Sequence, residues 1–217
     1  MKAKITKIKK EACDTKRFEL SLEKELEFKP GQFIKLKIPG FEISRAYSMS
    51  SAGGIKKEIE LTIRIHSDGI LTQKIDKLRE GDEIEIEGPY GKFFFDDEEG
   101  KDVVLITAGI CIATIRSIIK HIKENKLKNK ITLFYSAKKE EDLVYKKEFE
   151  KEDMQLHINL TREKDGRRLN KEDFKNVKKD SLFFIVGPNE FVKDITEILK
   201  DLKIKENNIK EERYGIE

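Results

Sequence analysis

The fold is decided by the stretch VVLITAGICIATI, residues 103–115. Its first four residues form an unbroken apolar run, which is typical of a strand covered on both faces of a parallel sheet. A turn containing Gly109 follows, and Ile112, Ile115 and Ile118 then recur at helical spacing. A buried strand that leads through a glycine turn into a helix indicates the start of an α/β domain, which binds ligands at the carboxyl ends of its strands.

The sequence downstream continues the alternation of strand and helix. Apolar runs predict strands over residues 131–136, 155–160, 182–186 and 209–214. Helical spacing predicts a helix over residues 142–151 and a second one from Phe191 to Leu202. We therefore expect a C-terminal α/β domain with a doubly wound parallel sheet.

The sequence upstream has a different period. Ile59, Leu61 and Ile63 alternate with polar residues, and residues 34–38 and 83–87 repeat this pattern between glycine turns. Alternation of this kind predicts antiparallel strands, and the run of them predicts a β-barrel. Thr72 is expected to cap one short helix over residues 72–78. The change of period predicts an N-terminal β-barrel domain over residues 1–96 and an α/β domain over residues 97–217.

The charge and the cysteine content of the sequence argue against two classes of function, nucleic-acid binding and a metal centre of the chain's own. The 45 Lys and Arg residues are interleaved with 42 Asp and Glu residues, for a net charge of +3, so the chain lacks the broad basic field of nucleic-acid binders. Two distant cysteines supply neither a disulfide framework nor a metal or iron-sulfur ligand set. The sequence shows no signal peptide and no apolar run of the length that spans a membrane. We therefore expect a cytoplasmic protein that binds no nucleic acid and holds no metal centre of its own.

Two segments of the N-terminal half carry binding chemistry. In an extended segment at residues 45–48, Arg45 and Tyr47 would point to one side, where the cation suits a phosphate and the ring suits a flat heterocycle. Gly69, Ile70, Leu71 and Thr72 form a glycine turn into a helix N-terminus, a position that favours anions. Taken alone, the first segment is more often an ordinary half-buried strand, and the second is more often a plain capped helix.

Two turns of the C-terminal half follow buried strands. Residues 107–113, which include Thr107, Gly109 and Cys111, open a helix where the pyrophosphate of a dinucleotide would lie. Gly187 and Pro188 follow the strand at residues 182–186. The first turn is not a complete G-x-G-x-x-G fingerprint, and the second alone indicates only a loop.

Taken in order, these segments resemble the ferredoxin-NADP reductase superfamily, the oxidoreductases in which an FAD-binding barrel precedes an NAD(P)-binding domain. The resemblance covers nearly the whole chain. It rests on R-A-Y-S at residues 45–48, G-I-L-T at 69–72, G-P-Y-G-K-F at 88–93, the turn at 107–113, G-P at 187–188 and I-K-E-E-R-Y at 209–214.

The resemblance implies a role for each segment. Arg45 would bind the phosphates of FAD, which the pattern favours over FMN, and Tyr47 would lie against the flavin ring. Ala46 belongs to the same segment, and Ser48 would approach the N5 atom that accepts hydride. The amides of Gly69, Ile70 and Leu71, with Thr72, would complete the phosphate site.

In the C-terminal half, Thr107, Gly109 and Cys111 would cradle the nicotinamide nucleotide, which Gly187 and Pro188 would flank. Glu212 and Tyr214 would close the site near the flavin, so that Ser48, Cys111, Glu212 and Tyr214 are the candidate catalytic residues.

The sequence departs from the family pattern at three positions. Cys111 replaces a glycine of the nucleotide turn, Thr114 replaces a proline, and Val186 replaces a cysteine that often precedes the Gly-Pro pair. Cys111 is either a reactive thiol or a small packed residue. Lys138 and Arg162 follow the second and third parallel strands and favour the 2′-phosphate of NADPH, although a solvated lysine surface is the more common explanation of such residues.

We expect a flavin-dependent oxidoreductase that moves electrons between NAD(P)H and a protein acceptor, such as a ferredoxin or a larger enzyme complex, through hydride transfer to flavin N5. One alternative is a flavin reductase that uses free flavin as a substrate. Another is a flavin-bound subunit whose nucleotide site is degraded. The oligomeric state stays open.

Overall fold

The computed structural model describes residues 1–97, 100–164 and 166–214. These residues form two compact units. The first comprises residues 1–96 and also Arg116–Asn125, and the second comprises the described residues of 97–115 and 126–217. The division proposed from the sequence placed residues 116–125 with the C-terminal domain, whereas their contacts group them with the first unit.

The first unit is built on a six-stranded antiparallel sheet with the order β4-β3-β6-β1-β2-β5. Its strands are β1 (Lys2–Ala12), β2 (Thr15–Phe28), β3 (Phe33–Lys37), β4 (Ser44–Ser48), β5 (Gly54–Arg64) and β6 (Glu83–Tyr90), and its short helix is α1 (Ile70–Asp76). A bridge between Met49 and Leu61 joins the chain beyond β4 to β5, the opposite edge strand. The sheet thus closes on itself, which confirms the predicted barrel.

The interior of the barrel follows from the period-two pattern. Ile59, Leu61 and Ile63 of β5 are 1%, 0% and 1% exposed, and Ile34 and Leu36 of β3 are buried on the same core. Because side chains alternate between the two faces of a strand, the apolar residues of the repeat enter the core. Glu60 and Thr62 lie on the other face of β5, where Thr62 is buried as well.

The second unit is a five-stranded sheet in which every neighbouring pair is parallel, with the order β11-β10-β7-β8-β9. Its strands are β7 (Val103–Ala108), β8 (Ile131–Ala137), β9 (Gln155–Leu160), β10 (Leu182–Gly187) and β11 (Ile209–Arg213). The helices that connect the strands are α2 (Ile112–Glu124), α3 (Lys146–Phe149) and α4 (Asn189–Asp201). The order confirms the doubly wound α/β fold, because the chain adds β8 and β9 on one side of β7 and β10 and β11 on the other.

Two helix boundaries differ from those expected. Helix α1 begins at Ile70 with Gly69 as its N-cap, so Thr72 lies inside the first turn and does not cap it. The helix expected over residues 142–151 shrinks to the single turn α3. The cause is Tyr145, which has a left-handed backbone with φ of 64°, while Val144 is buried and donates its amide to the Tyr135 hydroxyl at 3.1 Å. A residue held in that conformation interrupts an α-helix.

Among the described residues, no helix combines the length and the apolar character that crossing a bilayer requires.

Candidate functional site

Strand β4 presents Arg45 and Tyr47 on one face. In the register with β3, Arg45 lies opposite Leu36 and Tyr47 lies opposite Ile34. Directly opposite residues of antiparallel strands share a face, so both side chains start from the face that Leu36 and Ile34 turn to the core. Arg45 reaches solvent, whereas Tyr47 packs against the barrel core and is half-buried. A cation and a ring therefore lie side by side, as the sequence pattern predicts.

The two side chains differ in their chemistry. Burial raises the pKa of Tyr47 to about 12, and the Arg45 charge offsets only part of that rise. The phenol is therefore neutral at physiological pH and presents an uncharged ring. The guanidinium of Arg45 donates to the carbonyl oxygen of Ser44 at 2.9 Å and stays exposed, so most of its donors face outward.

The rest of β4 lies on the other face or at the strand end. Ala46 is exposed opposite Lys35, and Ser48 is half-buried opposite Phe33. Beyond Ser48 the chain enters the core, since Met49 and Ser50 are both 0% exposed. Ser48 is thus the last residue of this strand that solvent or a ligand reaches.

The turn before helix α1 is close-packed around its glycine. The Thr72 hydroxyl donates to the carbonyl oxygen of Gly69 at 3.1 Å and accepts from the His66 amide at 3.2 Å. A Cβ atom on Gly69 would collide with Thr72 Oγ1, so only glycine fits there. Leu71 is buried, while Ile70 is 65% exposed at the helix start. The turn fixes the first-turn amides of α1, and Ile70 offers an apolar surface beside them.

In the second unit, the predicted nucleotide turn lies where the strand order reverses. Thr107, near the end of β7, is flanked by Tyr135 of β8 and Val186 of β10. Gly109 follows with φ of 60°, a left-handed conformation that favours glycine. Cys111 ends the 3-10 turn that starts at Gly109 and is 9% exposed. This is the point of a doubly wound sheet at which ligands bind.

Thr107 carries an unsatisfied hydroxyl at this point. Its side chain is 0% exposed, and its Oγ1 has no hydrogen-bond partner among the residues that the structure describes. Buried hydroxyls are normally paired, because leaving one unpaired costs about 1–3 kcal/mol. Because this hydroxyl is out of reach of solvent, a polar ligand group at this edge reaches it only if the turn at Gly109 moves.

Gly187 and Pro188, which follow β10, lie at the same edge of the sheet as the end of β11. Val186 pairs with Glu212 across β10 and β11, and the amide of Tyr214 donates to the carbonyl oxygen of Gly187 at 2.9 Å. Pro188 then caps helix α4. Burial raises the pKa of Glu212, whose side chain is half-buried. The structure thus gathers Gly187, Pro188, Glu212 and Tyr214 beside the turn that follows β7.

The two predicted phosphate cations lie together further along this edge. The amide of Arg162 donates to the carbonyl oxygen of Lys138 at 2.9 Å, and both side chains are exposed. This contact brings the ends of β8 and β9 together. A pair of solvent-facing cations is compatible with a phosphate ligand and equally with a plain charged surface.

The sequence interpretation missed the buried cation Arg116. Its side chain is 3% exposed, its guanidinium contacts the Glu60 carboxylate, and it donates to the carbonyl oxygen of Ser50 at 2.9 Å. The signal was present, because Arg116 follows Ile112 by four residues and precedes Ile119 by three, which places a charge on the apolar stripe of helix α2. Such a charge is buried only when it is paired.

These arrangements match known oxidoreductase domains. A family model for the oxidoreductase FAD-binding domain matches residues 2–95, and one for the oxidoreductase NAD-binding domain matches residues 105–197. The exposed Arg45, the neutral Tyr47 ring and the glycine turn at α1 suit a phosphate-bearing flavin. The left-handed Gly109 at the carboxyl end of β7 suits a nucleotide.

The curated proteins that are similar to this chain include two whose names indicate multicomponent enzymes. The reductase component DmpP of phenol 2-monooxygenase from Pseudomonas sp. strain CF600 is 33% identical over 125 residues, which are 57% of this chain and 35% of that protein. The sulfhydrogenase 2 subunit gamma of Pyrococcus furiosus is 37% identical over 152 residues, 67% of this chain and 51% of that protein. The matched regions span only about a third to a half of these relatives.

One of the solved structures that are similar to this chain is a ferredoxin NADP+ reductase from Neisseria gonorrhoeae with bound FAD and NADP. It superposes with a TM-score of 0.84 at 24% identity and covers 98% of each chain. At that identity the similarity establishes a common fold and nothing finer.

Proposed function

Because the chain belongs to the ferredoxin-NADP reductase superfamily, in which an FAD-binding domain precedes an NAD-binding domain, we propose that it is an FAD-dependent NAD(P)H oxidoreductase that delivers electrons to a protein acceptor. The observation that supports this most is the succession of the two domain matches along one chain, residues 2–95 and then 105–197. Bound FAD would supply the centre that takes a hydride from NAD(P)H and releases electrons singly or in pairs.

In the proposed flavin site, the exposed guanidinium of Arg45 binds a phosphate group through charge-assisted hydrogen bonds. Tyr47 offers a neutral ring as a stacking surface, since burial raises its pKa to about 12. Ser48, at the accessible end of β4, supplies a hydroxyl near the reacting edge of the flavin. The amides of the first turn of α1, which Gly69 and Thr72 hold in place, form the second phosphate contact.

In the proposed nucleotide site, the left-handed Gly109 and the turn through Cys111 carry the pyrophosphate. The buried Thr107 hydroxyl bonds to a polar group of the ligand once the turn at Gly109 moves aside. Gly187 and Pro188 flank the nicotinamide. The exposed pair Lys138 and Arg162 favours NADPH over NADH. Hydride transfer needs orientation more than acid-base chemistry, so these residues act mainly by positioning the nucleotide.

Among the residues that lie beside the turn after β7, Glu212 is our candidate for moving a proton. Burial raises its pKa, and its strand pairs with β10 beside Gly187. A carboxyl with a raised pKa holds its proton at a higher pH than an exposed one, so it can donate a hydrogen bond or a proton. We assign that role to Glu212, with the backbone of Tyr214 fixing the end of the strand.

The acceptor we propose is a separate redox protein or a partner subunit. The relatives named above are the reductase component of a monooxygenase and a subunit of a sulfhydrogenase, so each is one part of an enzyme that has several. The two cysteines of this chain are too few to hold an iron-sulfur cluster alone.

A turnover experiment on the purified chain tests the proposal. The protein is loaded with FAD, separated from free flavin by gel filtration, and mixed with NADPH or NADH and a one-electron dye as acceptor. We expect FAD to stay bound and the nucleotide to be oxidised, faster with NADPH. Activity that appears only when free flavin is added would instead support the free-flavin reductase. Retained flavin without nucleotide oxidation would support a subunit with a degraded nucleotide site.

A further inference from the structure

Arg116 connects helix α2 to the chain that leaves the proposed flavin strand. Its guanidinium contacts the Glu60 carboxylate of β5 and donates to the carbonyl oxygen of Ser50 at 2.9 Å. By its contacts Arg116 groups with the first unit, together with β4 and β5. Ser50 lies only two residues beyond Ser48, so the guanidinium holds the backbone next to the segment that we assign to the flavin.

Glu60 is the centre of a cluster of cations. Arg17 lies 3.1 Å and Lys120 lies 3.4 Å from its carboxylate oxygens, in addition to Arg116. Burial alone would raise the pKa of Glu60, but the surrounding cations outweigh burial and hold that pKa below its usual value. Glu60 is therefore an anion, and Arg116 is its most deeply buried partner, with 3% side-chain exposure against 12% for Arg17 and 27% for Lys120.

The backbone at Ser50 and Ser51 is held from two sides. From β5, the carbonyl oxygen of Glu60 accepts from the Ser50 amide at 2.8 Å, and Thr62 Oγ1 donates to Ser50 Oγ at 3.0 Å. From helix α2, Arg116 donates to the Ser50 carbonyl oxygen, and Ser117 Oγ donates to the Ser51 carbonyl oxygen at 2.6 Å. The two contacts from α2 are side-chain bonds to the backbone carbonyl oxygens of Ser50 and Ser51, whereas the contacts from β5 reach the Ser50 amide and hydroxyl.

We propose that Arg116 is a positioning residue for the flavin site, which fixes the chain at Ser50 and thereby sets where Tyr47 and Ser48 stand. This inference rests on the proposed function, since it presumes that the flavin binds at β4. Strand β4 is an edge strand that pairs with β3, and the segment after it is tied to β5 at Met49, Ser50 and Ser51. Only Met49 separates Ser50 from Ser48, so we expect a displacement at Ser50 to shift Ser48 as well, to the extent that the bonds of Met49 to Gln32 and Leu61 yield.

The tests compare FAD binding with stability in four proteins. The variants are Arg116→Met, Arg116→Lys and Ser117→Ala, and the control is Arg64→Met, which breaks an Arg64–Asp14 pair at 3.2 Å elsewhere in the first unit. For each protein, the dissociation constant of FAD, the visible spectrum and midpoint potential of the bound flavin, and the thermal midpoint of the flavin-free form are measured. The spectrum and potential report the surroundings of the flavin, which a loss of stability alone does not change.

We expect Arg116→Met to weaken FAD binding by about tenfold, because the segment at Ser50 then spends less time in the position that binds the flavin, and to shift the flavin spectrum. Arg116→Lys keeps the charge for Glu60 but not the fork of donors, so it should recover only part of the affinity. Ser117→Ala leaves the charge cluster intact and should weaken FAD binding by a few-fold. Arg64→Met should lower the thermal midpoint without altering the flavin.

The inference is overturned if FAD affinity, spectrum and potential in Arg116→Met or in Ser117→Ala equal those of the wild type, or if Arg64→Met changes them as much. If Arg116→Met does not fold, Ser117→Ala alone decides, since it removes no charge. A wild-type chain that binds no FAD overturns the proposed function and this inference together. A wild type that binds FAD with unaffected variants overturns only the inference.

Discussion

Replacing Thr107 with valine should make the protein more stable and bind its nucleotide less well. Thr107 is 0% exposed, and its hydroxyl has no partner in the part of the chain that the structure describes. Valine has nearly the same shape without the hydroxyl, so Thr107→Val removes an unpaired buried polar group whose cost is about 1–3 kcal/mol. The free energy of unfolding of the nucleotide-free protein should rise by about 1 kcal/mol, or about 2–4 °C in the thermal midpoint for a chain of this size.

The same substitution removes the hydrogen bond that we assign to the nucleotide. A neutral hydrogen bond contributes about 0.5–1.5 kcal/mol, so the KM for NADPH should rise by about two- to tenfold. Urea denaturation gives the first quantity and steady-state kinetics the second. The control is Thr15→Val, because Thr15 is also buried but its hydroxyl donates to Asp14 at 2.9 Å.

In the control, stability should fall and the KM should stay unchanged. The reasoning is refuted if Thr107→Val loses stability as Thr15→Val does, or if its KM equals that of the wild type.

Three further substitutions test the remaining site residues. Arg45→Ala should weaken FAD binding by about 1.5–3 kcal/mol, measured by flavin fluorescence, and unchanged affinity would displace the site from β4. Tyr47 has a folded pKa raised to about 12, so its contribution to stability is complete below pH 10 and is lost as the pH rises towards 12. Because Tyr47 is partly exposed, the free energy of unfolding of the wild type should fall by only about 1–2 kcal/mol relative to that of Tyr47→Phe between pH 10 and pH 12, measured by urea denaturation. The same pH dependence in both proteins would contradict this. Burial raises the pKa of Glu212, so ionisation of this carboxyl opposes folding at neutral pH. Glu212→Gln should therefore be more stable than the wild type by less than about 1 kcal/mol at pH 7, and the difference should vanish once the pH falls below the pKa of the unfolded state. Equal thermal midpoints at pH 7 would count against the raised pKa.

The fold was predictable where one physical signal dominates the sequence. The alternation in β5 follows from burial of one face of the strand, and the apolar run in β7 follows from burial of both faces. Burial is strong enough to override local propensity. The helix expected over residues 142–151 failed because Tyr145 adopts a left-handed conformation next to the buried Val144. Such a conformation is fixed by tertiary packing, which periodicity does not reveal.

The candidate site was predictable only in part. Residues at strand ends were found, because parallel strands bring their carboxyl ends to one edge whatever their side chains. Arg116 and Glu60 were not, since their pairing depends on where helix α2 packs, and a charge pattern along the chain does not show which distant charge is the partner. The same limit applies to Thr72, whose hydroxyl bonds with Gly69 and His66 inside the turn instead of capping α1.

The central claim is that this chain holds FAD and reduces it with a nicotinamide nucleotide, and an anaerobic titration of the FAD-loaded protein tests it most directly. NADPH and NADH are added in separate titrations while the visible absorbance of the flavin is followed. We expect the flavin absorbance to bleach with about one equivalent of nucleotide, because each nucleotide delivers two electrons to one flavin. NADPH should bleach the flavin at a lower concentration than NADH. Flavin that remains bound and oxidised in excess of both nucleotides would contradict it.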